Sequence, residues 1–469
     1  MDEDVNVEIL IEEIGGKRRG SGFLNENIVK MVNSKNNSLS ESRSYTKSII
    51  SENEKEDDEL TICYFNYKTW FCIINLIAGA LGTGVFTFPL IVYNIGLFNS
   101  TICFIFVSAS VYYSLDLLRR FVVDIRLYSY STITQATLGY AWQVMYSVSS
   151  FIVYMMSISN YLKSLYNVTN SVIPGINENG VAKFFYYFIT YIIEVVLCIF
   201  TSNLSKIHIL SLIAFWIMLI ILIRVIIESI FNMSVESERF DYVTAFEIKN
   251  GKDSWEKFLS LMTGLNDFLF GFISHSTFPT LLNSFSEPND DIKTRKINKI
   301  QLIILYIIYG LFTFFGLFCL DQDNPQEIFL NKKTLENFGE YVFNILLMIY
   351  LIILVPIRYI IIRDNYTSIL KKDYLPGKYE ILATVLCLLI NNLIACFLGD
   401  SVVKTTFIEI FSGIFGVFMC FILPVINYVK INSKNKIRAI IGFIISGLFL
   451  LIGISSIIFS LKNANWDGE

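Results

Sequence analysis

Asn75-Leu-Ile-Ala-Gly79-Ala80-Leu-Gly82-Thr83-Gly84-Val-Phe-Thr-Phe-Pro89, running on to Gly96, decides how the rest of the chain is read. It lies within an apolar run from about Trp70 to Val92, long enough to cross a bilayer as a helix. Yet glycines, threonines and a proline stand where a plain spanning helix would carry Leu, Ile and Val. Glycine inside a helix costs roughly 1 kcal/mol relative to alanine. At Gly79, Gly82 and Gly84 it lets the backbone unwind and turn bare N–H and C=O groups into a cavity. Lipid cannot satisfy such groups, so an interruption at this depth is expected to line a protein-enclosed site. Two half-helices meeting there would present an N-terminal dipole end to an anion such as a carboxylate. The same residues can also be read as a flat face for close helix–helix packing. Spacing alone leaves the two readings even.

The surrounding composition places this stretch in a membrane. Of 469 residues, 54% are hydrophobic and the mean hydropathy is +0.55. Soluble domains sit far below that, so the fold class is an all-α polytopic membrane protein. The net charge of −4 is unevenly spread. Residues 1–66 are polar, with an acidic run from Glu52 to Glu59, and cannot bury enough apolar surface to fold alone. They are expected to form a disordered cytosolic tail rather than a cleavable signal peptide. Serines 38, 40, 42, 44, 48 and 51 offer phosphorylation sites on what otherwise reads as a solvated spacer. The eight cysteines lie mainly in apolar stretches without metal or disulfide spacing, and two histidines, His208 and His275, do not make a usual zinc centre. No carboxylate pair, metal cluster or nucleophile–base set points to an enzyme, and no feature calls for a cofactor, a metal or a nucleic acid.

Eleven apolar segments follow the tail, at about 69–94, 97–121, 139–166, 182–201, 205–231, 256–283, 297–320, 338–362, 377–398, 402–429 and 437–460. With the amino terminus in the cytosol, the inward connections hold seventeen Lys or Arg against ten outside, the inward set including Arg119, Arg120 and Arg358. The positive-inside bias supports this orientation. It makes 67–462 a single membrane domain and leaves a short outer or luminal tail, 463–469. Two glycosylation sequons, Asn167-Val-Thr169 and Asn232-Met-Ser234, then fall in outward loops. A third, at Asn203, falls inside.

A second interruption occupies the sixth segment, Thr263-Gly264-Leu-Asn266-Asp267-Phe-Leu-Phe270-Gly271-Phe272-Ile-Ser274-His275-Ser276-Thr277-Phe-Pro279. If eleven is five plus five plus one, segments one and six open the two halves. Matching breaks at corresponding positions are the sequence mark of a central site in an inverted-repeat transporter. The pair of breaks favours that reading over helix packing.

Gly82-Thr83-Gly84-Val-Phe-Thr-Phe-Pro89, followed by Gly96, resembles the first-helix signature of the amino acid/auxin permease family, closest to its proton-coupled and vacuolar-type members. Phe270 to Pro279 resembles that family's sixth-helix pattern, and Val355-Pro356-Ile357-Arg358 resembles the end of its eighth helix. The resemblance covers about 67–462. It implies an amino acid transporter of the five-plus-five inverted-repeat fold shared with the bacterial leucine transporter, plus one further helix. Carried over by position, amides near Thr83 and Gly84, beside Gly79, Ala80 and Gly82, would hold the substrate carboxylate. Carbonyls from Phe270 to Ser274, including Gly271 and Phe272, would receive the ammonium group. The family's Cys-His pair is Ser274-His275 here, and the cysteines of a disulfide known in some relatives are missing from the outward loops. Where sodium-coupled relatives place oxygen ligands, this chain has Ala78, Ile352 and Leu354, and no Ser or Thr occurs from Tyr341 to Arg363. A hard cation needs such oxygens, so these positions argue against sodium coupling.

Glu194, Arg224, Asp267 and Glu409 are ionisable residues within apolar segments, where such groups are expensive and often functional. Arg224 and Glu228 are placed to pair on one helix face. His275 can gain or lose a proton near neutrality and adjoins the second break. A hydrogen-bonded structural histidine is the competing reading. His275, Asp267 and Glu194 are therefore the proton-coupling candidates. The expected activity is secondary transport of amino acids by alternating access, proton-coupled or facilitative, in a plasma membrane or an acidic vacuolar or endolysosomal membrane. The alternative is an amino acid sensor signalling through its tail.

Overall fold

The computed structural model describes residues 67–82, 84–173, 180–201, 204–235, 246–249, 251, 253–282, 290–320, 338–370, 377–398, 412–431 and 436–464. The tail 1–66, Thr83, Glu409 and residues after 464 lie outside them. Every described regular element is helical. Helix α1 (Tyr67–Ala80) makes its last helical bond from Leu81 N–H to the Ile77 carbonyl, 2.8 Å, and stops. Helix α2 (Gly84–Ile95) resumes at an angle of 58°. Gly96, at φ 84°, then turns the chain into α3 (Leu97–Ile125), a left-handed conformation that a side chain would resist. Short α4 (Tyr130–Leu138) leads through Gly139, also at positive φ, into α5 (Tyr140–Val172), followed by α6 (Gly180–Phe200) and α7 (Leu204–Val235).

The second half opens with the other break. Asp253 caps α8 (Ser254–Gly271) by accepting from Glu256 N–H at 2.7 Å, and the chain unwinds from Phe272 to Ser276 before α9 (Thr277–Leu282). Asp290 caps α10 (Asp291–Leu317). Then come α11 (Phe338–Ile369), α12 (Gly377–Leu398), two π-helical stretches at Ser412–Gly416 and Phe418–Ile422, α13 (Leu423–Ile431) and α14 (Lys436–Ala464).

Among the described residues nine helices are long and apolar enough to span a bilayer, or ten when α1 and α2 count as one broken span. The expected segment 256–283 is the α8–α9 pair. It is divided by its break and carries Glu256, Lys257 and Asp267, so length and apolarity alone do not mark it as a span. The broken helices sit in the core: Ile73, Ile77, Leu81, Val85, Phe86, Phe88, Phe268 and Phe278 are fully buried. Helices α6, α12 and α14 instead turn Phe184, Phe185, Ile189, Leu382, Leu386, Ile437 and Ile444 outward. Exposed hydrocarbon in that quantity has lipid as its solvent.

Two sequence expectations need correction. Asn167 and Asn232 do not lie in loops. Both sit near the ends of helices, α5 and α7; Thr169 is buried and Asn232 Nδ2 donates to the Phe318 carbonyl at 3.2 Å. Val168 and Thr169 are buried, so packing carries α5 through the first sequon. The cations counted in inward connections are also not all loop residues. Arg119 is fully buried in α3, paired with Asp116 at 2.9 Å and Asp291 at 2.7 Å, which fastens α3 to the start of α10. Arg358 is buried within α11.

Candidate functional site

The two breaks meet backbone to backbone. A β-carbon on Gly84 would lie 3.1 Å from the Gly271 Cα, and one on Gly271 would lie 2.4 Å from Phe88 Cζ. Only residues without side chains let the start of α2 approach the end of α8 this closely. The carbonyls released by the breaks then find side-chain donors from two other helices. Tyr309 of α10 places its hydroxyl 3.1 Å from the Ala80 carbonyl and 2.9 Å from that of Gly271, so one group joins both helix ends. Arg358 of α11 does the same from another side. Its Nη2 lies 3.3 Å from the carbonyls of both Ala80 and Leu81, its Nη1 donates to Ile273 at 3.4 Å, and its Nε donates to the Tyr161 hydroxyl at 3.0 Å.

Around this junction lies a cavity of about 20 Å³, lined by Ala80, Gly82, Gly84, Tyr154, Ser157, Tyr161, Phe270, Gly271, Ile273 and Arg358, with Val153 beside them. That is room for about one water molecule. The first helical residue of α2, Gly84, faces it, so the positive end of a helix dipole is directed into the space. Carbonyl-bearing ends of α1 and α8 face it as well. The space therefore has a helix N-terminus and helix C-terminal carbonyls, groups of opposite partial charge, on its wall.

Of the expected site residues, the fold brings Ala80, Gly82, Gly84, Phe270 and Gly271 together here. Thr83 lies outside the described residues. Gly79 does not line the cavity: a β-carbon there would meet Leu281 Cδ1 at 3.0 Å and Thr277 Oγ1 at 3.3 Å, so this glycine serves the packing of α1 on α9. Phe272 belongs to an aromatic cluster with Phe88, Phe104 and Tyr309. Ser274 and His275 lie within the second break, fully enclosed; among the described residues the Ser274 hydroxyl and both His275 ring nitrogens have no hydrogen-bond partner. Asp267 is half-buried in α8, about a turn before Gly271, and does not line the cavity. Glu194 is elsewhere, buried between α6 and α12, where its Oε2 accepts from Asn392 Nδ2 at 2.9 Å. Arg224 pairs with Glu228 at 3.7 Å, as its spacing predicts.

The model of the family described as "Transmembrane amino acid transporter protein" matches residues 66–463. The chain belongs to this family. A search of curated protein sequences finds no match. Among solved structures, the chain is similar to one titled "Substrate-bound outward-open state of a Na+-coupled sialic acid symporter reveals a novel Na+-site". The TM-score is 0.57 at 14% identity, over 85% of this chain and 89% of that one. At that identity the likeness shows the fold alone: the helical secondary-transporter fold of the leucine transporter class. As a transmembrane amino acid transporter the protein is an integral membrane protein and not an enzyme.

Sequence reading missed half the cavity wall of this transporter. Tyr154, Ser157 and Tyr161 recur on one face of α5, and that polar stripe in an apolar helix was a readable signal. Arg358, two residues past Pro356, counts in sequence among the cations of the inward connections, yet it lies buried in α11 at the cavity. Asp364, further along α11, lines a second cavity of about 20 Å³ with Ser211, Thr277 and Thr280. A charge near the end of an apolar run reads equally as a boundary or a buried group, and only packing separates the two.

Proposed function

We propose that this transporter moves amino acids by alternating access and binds its cargo at the junction of α1, α2, α8 and α9, without sodium and with proton-coupled or facilitated flux. The observation that carries this reading is the cavity itself: both helix breaks open into it, with a helix N-terminus on one side and freed carbonyls on the other. The N-terminal end at Gly84 suits a carboxylate, and the carbonyls at Phe270 and Gly271 suit an ammonium group. A cavity of about 20 Å³ is smaller than any amino acid. Admission of cargo therefore requires this space to widen, as an alternating-access cycle would allow.

Two further features support the coupling. Ala78 and Leu354 are buried hydrocarbon at the positions where sodium-coupled relatives are expected to present oxygens. His275 sits in the second break with neither nitrogen bonded to another described residue, and an imidazole is the side chain able to exchange a proton near neutrality. The orientation read from the loop charges, amino terminus inside, belongs to the same proposal.

The test is uptake of a panel of labelled amino acids into liposomes carrying the purified full chain, at two pH values and with sodium replaced by a large organic cation. The expected result is saturable uptake, stimulated by an inward proton gradient or unaffected by it, and indifferent to sodium. Absence of flux for every amino acid in folded protein would overturn the reading.

A further inference from the structure

We propose that Arg358 determines cargo specificity: it gives the cavity a fixed positive charge with no counter-carboxylate, so the site takes neutral and acidic amino acids and refuses lysine- or arginine-like ones. The inference rests on the amino acid transport reading above.

The argument starts from the partners of the guanidinium. Among the described residues all of them are uncharged: the carbonyls of Ala80, Leu81 and Ile273, the hydroxyl of Tyr161, and the ring of Tyr154, whose centroid lies 5.6 Å from the guanidinium carbon. The distances of 3.3–3.4 Å to the carbonyls lie beyond the usual range of N–H···O bonds, about 2.7–3.2 Å. Among the described residues no Asp or Glu lines the cavity. Asp267 and Asp364, the acidic residues on the neighbouring stretches of α8 and α11, are not among its lining residues, and Asp364 faces the second cavity. An arginine does not shed its proton in a protein, so the charge is permanent. A buried cation without an anion is costly, and the dipole end of α1 offsets only part of that cost.

A second observation has the same sign. The N-terminal end of α2 at Gly84 opens into the same space, and a β-carbon on Gly82 would lie 3.3 Å from Arg358 Nη2, so the guanidinium and the first break share one wall. Cation and helix dipole together favour a carboxylate on the ligand. The ligand's ammonium can turn to the carbonyls of α8. A second ammonium or a guanidinium on its side chain would enter a cavity that already holds one positive charge and offers no carboxylate. At an effective dielectric near 20, like charges several ångströms apart weaken binding by about tenfold or more.

The experiment is counterflow into liposomes carrying the full chain, with competition by unlabelled alanine, leucine, phenylalanine, glutamate, lysine and arginine at fixed pH. Neutral or acidic competitors are expected to act at concentrations at least about tenfold lower than lysine or arginine. Arg358→Lys is expected to keep that ratio, while Arg358→Gln brings it toward parity, a change that a purely structural arginine would not produce. Ser157→Asp, which adds a carboxylate to the cavity wall, is expected to raise lysine relative to the neutral competitors even if Arg358→Gln does not fold. Lysine competing as well as the neutral amino acids in the unaltered chain would overturn the inference and leave transport standing. An unchanged ratio in well-folded Arg358→Gln or Ser157→Asp would also overturn it. Folded protein that exchanges none of the six would overturn the transport reading itself.

Discussion

At Gly271 one methyl group decides whether the two broken helices can meet. Its β-carbon would stand 2.4 Å from Phe88 Cζ, far inside contact distance, and Phe88 is itself held by Phe268, Phe272 and Tyr309. Gly271→Ala is therefore expected to destabilise the protein by about 1–3 kcal/mol, seen as a lower melting temperature in detergent. Phe88→Leu in the same chain should return part of the loss by clearing the space. An unchanged melting temperature in the single variant would mean that the ring moves aside at no cost. His275 is the other residue on which a single substitution is decisive. His275→Gln keeps the size and removes the titration. If the imidazole carries the coupled proton, acid stimulation of uptake should vanish while substrate exchange at fixed pH survives. A well-expressed Gln variant with an unaltered pH profile would exclude that role, leaving Asp267, Asp364 and Glu194 to be tested.

Between elements, the breaks are held by side chains from intact helices. Tyr309 of α10 joins the carbonyl ends of α1 and α8, and no local sequence signal marks it among the many tyrosines of the chain. Tyr309→Phe removes the one proton shared by the two carbonyls, and Gly271, unlike Ala80 with its bond from Arg358, keeps no other side-chain donor among the described residues, a loss of about 1–3 kcal/mol. The expected outcome is a lower melting temperature together with a changed transport rate. An identical rate and stability would show that the tie between half-helices is incidental. The positions of both breaks were legible, because glycine, proline and polar residues at membrane depth have few other uses. Their partners were not. Glu194, a proton-coupling candidate in sequence, lies away from the cavity, between α6 and α12 beside Asn392, and Gly79, read in sequence as a site residue, packs against Leu281.

For the whole molecule, the predictions concern what the transport domain needs from outside itself. Replacing sodium with a large organic cation is expected to leave uptake nearly unchanged. A steep sodium dependence would mean that the ion is held by groups other than those at Ala78, Ile352 and Leu354. Deleting residues 1–60 is expected to leave uptake within about twofold, since the family match begins at residue 66. Loss of a signalling output with little flux in the intact chain would instead favour the sensor.

Sequence by itself determined the membrane class, the helical architecture and the positions of both interruptions along the chain. Apolar length and the placement of glycine and proline are local quantities, and the bilayer imposes the same requirement on every backbone group that enters it. The tertiary structure decided which glycines face the cavity and which serve packing, and it placed Tyr154, Tyr161, Tyr309 and Arg358 around the junction. These residues come from α5, α10 and α11, separated by long stretches of chain. A buried arginine and a loop arginine look alike in sequence; Arg358 became a site residue only when the freed carbonyls of α1 and the second break were brought to its guanidinium.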